Sequence, residues 1–342
     1  MAGRPTTDLY FRNALAPFIA PRWWPVGWPA GQAAPIRACG AHSFSAGRWR
    51  VLLREDAPAA MRAALDHAGP LAYLVDDDFA AAASCPALPE AYRQRLAAFA
   101  RGWHAALLAR ADVVLAASAP LAARLAGQPG LAPRLRLIEP FWRESPADQA
   151  HFAPLTGGAP LRIAHLGSAS HGAALAALAP ALAALLDRHP ACQFTYFARA
   201  PVDPALEAHP RARRQQPMAW PEYRRWLARQ RFHLALYPLL DNGFDRARSA
   251  SKLAEHAVAG AVGVYPAGWA PGAALAAAGG ALLAPDRVEL WPAAMDRLIG
   301  QIMQKHHKLA QIAAQAAKTL SINDPCAKQR QIWSNSLDLC LA

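Results

Sequence analysis

Twice along these 342 residues, short apolar runs alternate with stretches of helical spacing, and a polar, Pro- and Gly-rich break separates the two series. In the first series WRVLLRED leads to a helix over Pro58 to His67, and PLAYLVDD to a long helix over Pro89 to Arg110. DVVLAAS then leads to a helix over Pro120 to Ala126, and RLRLIEP closes the series. The second series opens with LRIAHLGS, a helix from Ser170 to Arg188 and CQFTYFAR. It continues through the helix WPEYRRWLARQR, with Trp220, Tyr223 and Trp226 toward the core, to HLALYPL, AVGVY, GALLAPD and a helix from Val288 to Ile299. Parallel strands need crossovers long enough to hold a helix, so this alternation predicts an α/β protein with two parallel-sheet domains. Ligands in such sheets lie at the carboxyl ends of the strands. The expected boundaries are an arm over 1–35, a first domain over 36–145, a linker over 146–160, a second domain over 161–300 and C-terminal helices over 301–342.

The chain is long enough for two ordinary cores. It contains no apolar run of about 18 residues and no basic-then-apolar leader, so the expected location is the cytoplasm. Cys39, Cys85, Cys192, Cys326 and Cys340 show no metal-ligand spacing and read as reduced thiols. A net charge of +12 calls for anionic partners: nucleotide diphosphates, an anionic membrane face or nucleic acid. No zinc-finger or RNP pattern accompanies the arginines, so nucleic acid is not expected. The run from Arg211 to Arg231 reads as solvated surface. In the arm, Trp23, Trp24 and Trp28 stand among prolines, which forbids a long helix. These rings either pack over the first domain, line an acceptor pocket or enter a membrane interface. Four of the five lysines follow residue 304, and KHHKLAQIAAQAAKTL is amphipathic, so docking of Lys305, Lys308 and Lys318 on an anionic membrane is one reading of that end.

Three places carry candidate chemistry. After HLALYPL, Ser249 is placed to cap a helix with an apolar stripe of Leu253, Ala254, Ala257 and Val258, and Gly260 stands where a C-cap glycine belongs. Arg248, Ser249 and Lys252 occupy its loop and first turn, where free backbone N–H groups favour an anion such as phosphate. Lys252 is the only lysine before Lys305, and Glu255 shares its helical face. The bland alternative is a solvated i,i+3 charge pair. Asp76, Asp77 and Asp78 stand at a strand's carboxyl end, to bind acceptor hydroxyls, border a cleft or hold a metal, or to cap the next helix. The turn Gly167-Ser168-Ala169-Ser170-His171 joins a strand to a helix start, where His171 is either a donor to a phosphate or sugar oxygen or a structural residue.

Pro238-Leu239, Phe244-Asp245, Arg248-Ser249, Lys252 and Glu255, followed by Gly260 and a Val-rich strand, resemble the donor-site signature of the group 1, glycogen-synthase-like glycosyltransferases. The blocks LRIAHLGSASHGAALAALAPALAALLDRHP, YLVDDDFAAA and ADVVLAASAPLAARL extend the resemblance over most of residues 70 to 300. It implies a GT-B fold, in which two Rossmann-like domains face a cleft and a C-terminal helix crosses back onto the first. It implies transfer of a sugar from a nucleotide sugar to a saccharide, lipid-linked glycan or other hydroxyl acceptor, as in polysaccharide biosynthesis, with retention and without metal or cofactor. Arg248, Lys252 and Glu255 would be catalytic, the first two stabilising the leaving diphosphate. Gly167, Ser168, His171, Pro238, Leu239 and Ser249 would bind the donor, and Asp76, Asp77 and Asp78 would lie on the acceptor side or border the cleft. The chain departs from the family where its fuller motif has two glutamates separated by seven residues, because the earlier position is Ala247. That departure keeps open a non-catalytic nucleotide-sugar-binding protein, and the aspartates keep open a metal-dependent transferase using Asp76 and Asp78.

Overall fold

The computed structural model describes residues 4–20, 36–54, 57–167, 169–322 and 324–339. The tryptophans of the expected arm, and Ser168, lie outside these residues. By its contacts the chain forms two units. The first comprises the residues up to Arg143, the segment Ala247–Ser251 and the residues from Asp324 onward; the second comprises Glu144–Arg246 and the residues from Lys252 to 322.

The first unit holds a six-stranded sheet, β1 (Ile36–Ala38), β2 (Ser43–Ala46), β3 (Trp49–Leu53), β4 (Leu71–Val75), β5 (Val113–Ala116) and β6 (Leu135–Leu137), in that spatial order. Strands β3 to β6 are parallel, as the alternation predicts. The sheet departs from all-parallel at one edge, where β1 and β2 run antiparallel, because so short a connection closes only a hairpin. Every residue of β4 is buried, which accounts for its unbroken apolar run in place of alternation. The Pro325–Leu337 helix belongs to this unit. Its fully buried Trp333 donates to the Tyr10 carbonyl at 2.8 Å and packs edge-on against Phe11, which in turn lies 4.5 Å from Phe44 of β2.

The second unit holds an all-parallel sheet of β7 (Leu161–His165), β8 (Cys192–Phe197), β9 (Ala212–Gln215), β10 (Leu234–Leu236), β11 (Val262–Pro266) and β12 (Leu282–Ala284). Their spatial order is β12-β11-β10-β7-β8-β9. The chain thus builds outward from β7 in one direction and from β10 in the other. The Gly172–Arg188 helix buries Leu175, Leu178, Leu182 and Leu185 at helical spacing and leaves Pro180 exposed, where its missing N–H meets solvent. The stretch expected as linker folds as a 3-10 helix, Ala150–Gly157, with Phe152 and Leu155 in this unit's core. The amphipathic helix His306–Ile322 turns Leu309, Ala313 and Ala316 inward. Its apolar face is therefore spent on the protein's own core, and Lys308 and Lys318 stay exposed. Among the described residues no helix is long and apolar enough to cross a membrane.

Candidate functional site

Strand order reverses between β7 and β10, and in a parallel sheet the loops leaving two such strands separate and open a crevice at their carboxyl ends. Both predicted loops leave from there. After β7 the chain passes through Leu166 and Gly167. A Cβ on Gly167 would lie 2.3 Å from His165 Cε1 and 2.8 Å from His171 Cβ, so only glycine fits the turn. After β10 it runs through buried Pro238 and Leu239 into a loop tied by Asp245, which accepts from the Leu240 N–H and the Asn242 amide, both at 3.1 Å. The helix that follows is Ser251–Val258. Ser249 therefore precedes it and does not cap it; its hydroxyl reaches Ser251 Oγ at 3.4 Å. The far end agrees with the sequence. Gly260 has φ +72°, and its N–H reaches the Ala257 carbonyl while that of Ala261 reaches His256, the paired bonds of a Schellman motif.

Lys252 and Glu255 face each other on this helix as an ion pair, with side chains only 11% and 5% exposed. The solvated-pair reading is thereby overturned. Lys252 Nζ also donates to the carbonyl of Leu166, which ties the helix after β10 to the loop after β7. The other carboxylate oxygen of Glu255 accepts the Tyr223 hydroxyl. An ammonium has three N–H donors, and contacts among the described residues use two of them. Burial first, and then the Lys252 charge, push the His165 imidazole down to about 3. Burial likewise, then Lys252 and His165, push His256 well below its usual value. Both rings are neutral at pH 7. Among the described residues neither nitrogen of His165 has a hydrogen-bond partner, and His256 uses Nδ1 alone, 3.0 Å from the Tyr265 hydroxyl. His171 is buried, with its ring 5.2 Å from that of Tyr237.

Arg248 belongs to the segment Ala247–Ser251. That segment packs with the first unit, where the Arg248 guanidinium lies 3.8 Å from Asp77. The neighbouring Ala247 is buried, and its carbonyl accepts the Ser118 hydroxyl at 2.6 Å. The three aspartates, expected as a cluster, turn to different partners. Asp76 accepts the Thr6 hydroxyl and Arg54 at 3.0 Å, and Asp77 pairs with Arg54 at 2.8 Å. Asp78 caps the Phe79–Ala83 helix by accepting the Ala81 N–H at 2.9 Å, and it pairs with Arg124. Asp76 and Asp78 thus each have a charged partner, while Asp76 Oδ1 and Asp78 Oδ2 are buried with no hydrogen-bond partner among the described residues. Burial pushes the Asp77 carboxyl up against the pull of Arg54. Arg54 holds this cluster from a left-handed backbone at φ 44°, a strained conformation of the kind found where a side chain must be aimed.

Sequence reading missed Tyr223, His165, His256 and Arg54 as members of these clusters. Trp220, Tyr223 and Trp226, expected in the core, are half-buried, and Leu227 is the buried residue of the Trp220–Arg229 helix.

No protein-family model matches the chain, and no curated protein matches it. Solved structures do. HepE of Anabaena, in complex with UDP and glucose, superposes with a TM-score of 0.57 over 81% of this chain and 74% of its own, at 17% identity. TarM of S. aureus, bound to fondaparinux, α-GlcNAc-glycerol and UDP, gives 0.56 over 79% of this chain and 51% of its own, at 10% identity. WaaG, a glycosyltransferase of lipopolysaccharide biosynthesis, gives 0.53 over 78% and 74%, at 13% identity. The fold is GT-B.

Proposed function

We propose that this protein is a retaining, metal-independent glycosyltransferase that moves a sugar from a nucleoside diphosphate sugar to a saccharide or lipid-linked hydroxyl acceptor. One observation carries this reading: a buried Lys–Glu pair at the strand-order reversal of an all-parallel sheet, bound to the loop after the first strand. The fold it shares with structures that hold UDP supports the choice of donor. In the reaction the acceptor oxygen attacks the anomeric carbon, the bond from that carbon to the diphosphate oxygen breaks, and the hydroxyl proton passes to the departing phosphate. Lys252 meets the charge that develops on the diphosphate, which is the main electrostatic demand of the step. Glu255 accepts from a hydroxyl of the donor sugar or ribose, and the Gly167–His171 turn and Pro238-Leu239 border the donor. Arg248 supplies a further cation, and Asp76 and Asp77 act on the acceptor. Lys305, Lys308 and Lys318 give a lipid-linked acceptor's anionic membrane an electrostatic contact.

Binding of UDP followed by titration calorimetry, with and without EDTA, tests this. Affinity should survive the chelator and fall about ten- to hundred-fold in Lys252→Ala, the range of a hydrogen bond to a charged group. Equal affinity of variant and wild type would place the donor site elsewhere, and loss with EDTA restored by manganese would favour a metal-dependent enzyme. A second reading, donor binding without transfer, is favoured by Ala247, whose small buried side chain stands where the family's earlier glutamate would be. Turnover of radiolabelled nucleotide sugars by purified protein separates the two.

A further inference from the structure

The carboxylate of Glu255 is held from two sides by different elements. Oε1 accepts the hydroxyl of Tyr223, which comes from the Trp220–Arg229 helix, and Oε2 faces Lys252 Nζ. Because Lys252 also binds the Leu166 carbonyl, a single chain of polar contacts runs from that helix through Glu255 to the loop after β7. The Tyr223 ring is itself fixed by packing. It meets Phe197 edge-on at 5.5 Å and 78°, and it lies 6.0 Å from both Trp220 and Trp226 on its own helix face. A tyrosine has two side-chain torsions that set the ring, so these contacts leave its hydroxyl a narrow arc in which to donate. Burial and the Glu255 charge raise the phenol well above its usual value; the hydroxyl keeps its proton and remains a donor. With one oxygen on Tyr223 and the other on Lys252, the carboxylate cannot turn fully onto the ammonium, and its remaining lone pairs are aimed in one direction.

We propose that Tyr223 is the positioning residue of the donor site: it aims the Glu255 carboxylate at a donor hydroxyl and stops it from closing onto Lys252. This rests on the reading that Glu255 receives such a hydroxyl. In Tyr223→Phe, the ring packing is kept and only the hydroxyl is lost. The transfer rate constant should fall about ten- to hundred-fold while UDP affinity changes less than threefold, and adding Tyr223→Phe to Glu255→Gln should cost nothing more. A merely structural tyrosine would give effects that multiply in the double variant, or an unchanged rate, and either result overturns the proposal. The unliganded full-length protein gives an independent readout. The Tyr223 hydroxyl proton, assigned by its loss in Tyr223→Phe, should resonate far downfield and move upfield in Glu255→Gln, where a neutral amide oxygen replaces the carboxylate. A resonance indifferent to residue 255 overturns the proposal even if UDP binds. A moving resonance in a protein that binds no UDP leaves the coupling standing and sinks the donor-site reading alone.

Discussion

At His165 the folded chain refuses a proton that the unfolded chain accepts. Burial and Lys252 hold its ring near 3, and burial alone brings His104 to about 4, whereas a free histidine titrates near 6.5. Between those values the unfolded state binds more protons than the native one, so stability rises with pH there and is lost as pH falls below about 6.5. Each such group contributes a slope of about 1.4 kcal/mol per pH unit. Urea denaturation at pH 7, 6 and 5 should show a falling midpoint, and His165→Asn should flatten the curve by that amount; an unchanged slope would mean that His165 is charged in the native state. Neither the burial nor the neutrality of this histidine was legible in the sequence, which offered only a His before a glycine turn. For Lys252 the sequence said more, since a single lysine among arginines marks a site. It could not say that the pair with Glu255 is buried, because i,i+3 spacing is the same on a wet face and a dry one. Tyr223 escaped notice for a different reason: its partner lies 32 residues away, beyond any local pattern.

Elements were legible where periodicity is long or an end is marked. The Ser251–Val258 helix shows both outcomes, with its C-terminus fixed by Gly260 and its N-terminus misplaced by trusting Ser249. Gly260→Ala should therefore be costly. A left-handed alanine costs about 1–2 kcal/mol, and its Cβ would stand 2.6 Å from His151 Cε1, an overpacking that adds about 1–3 kcal/mol. Gly300, inside the Trp291–Gln304 helix with open space where a Cβ would go, is the control; Gly300→Ala should gain roughly 0.4–1 kcal/mol. Denaturant midpoints of the two variants should move in opposite directions, and a neutral Gly260→Ala would contradict the steric account. The β1–β2 hairpin was hidden because IRA and SFSA are too short to show alternation. The Ala150–Gly157 segment was hidden by proline and glycine, whose frequency in linkers masked the two residues, Phe152 and Leu155, that bury it.

On the scale of the whole molecule, doubled strand–helix alternation made two sheets legible, and the superposition on GT-B structures agrees. The return of the Pro325–Leu337 helix to the first unit came from the family resemblance; the residues that secure it, Gln329 on the Leu9 carbonyl at 2.7 Å and Trp333 on Tyr10, were not foreseen. Trp333→Ala should cost about 3–5 kcal/mol, the range for truncating a buried Trp. Limited proteolysis should cut the first unit sooner while the second resists, and equal protection of both would show that the helix is dispensable. That same contact sets an order of events at the ribosome. Nascent domains usually fold in the order they are made, at about 5–20 residues per second. Here the first sheet emerges early yet cannot cover Phe11 until residue 333 has been translated, roughly 10–40 s after residue 143 at that rate. The second unit, begun later, completes its core first, and the stretch up to Arg143 waits with Phe11 uncovered by Trp333.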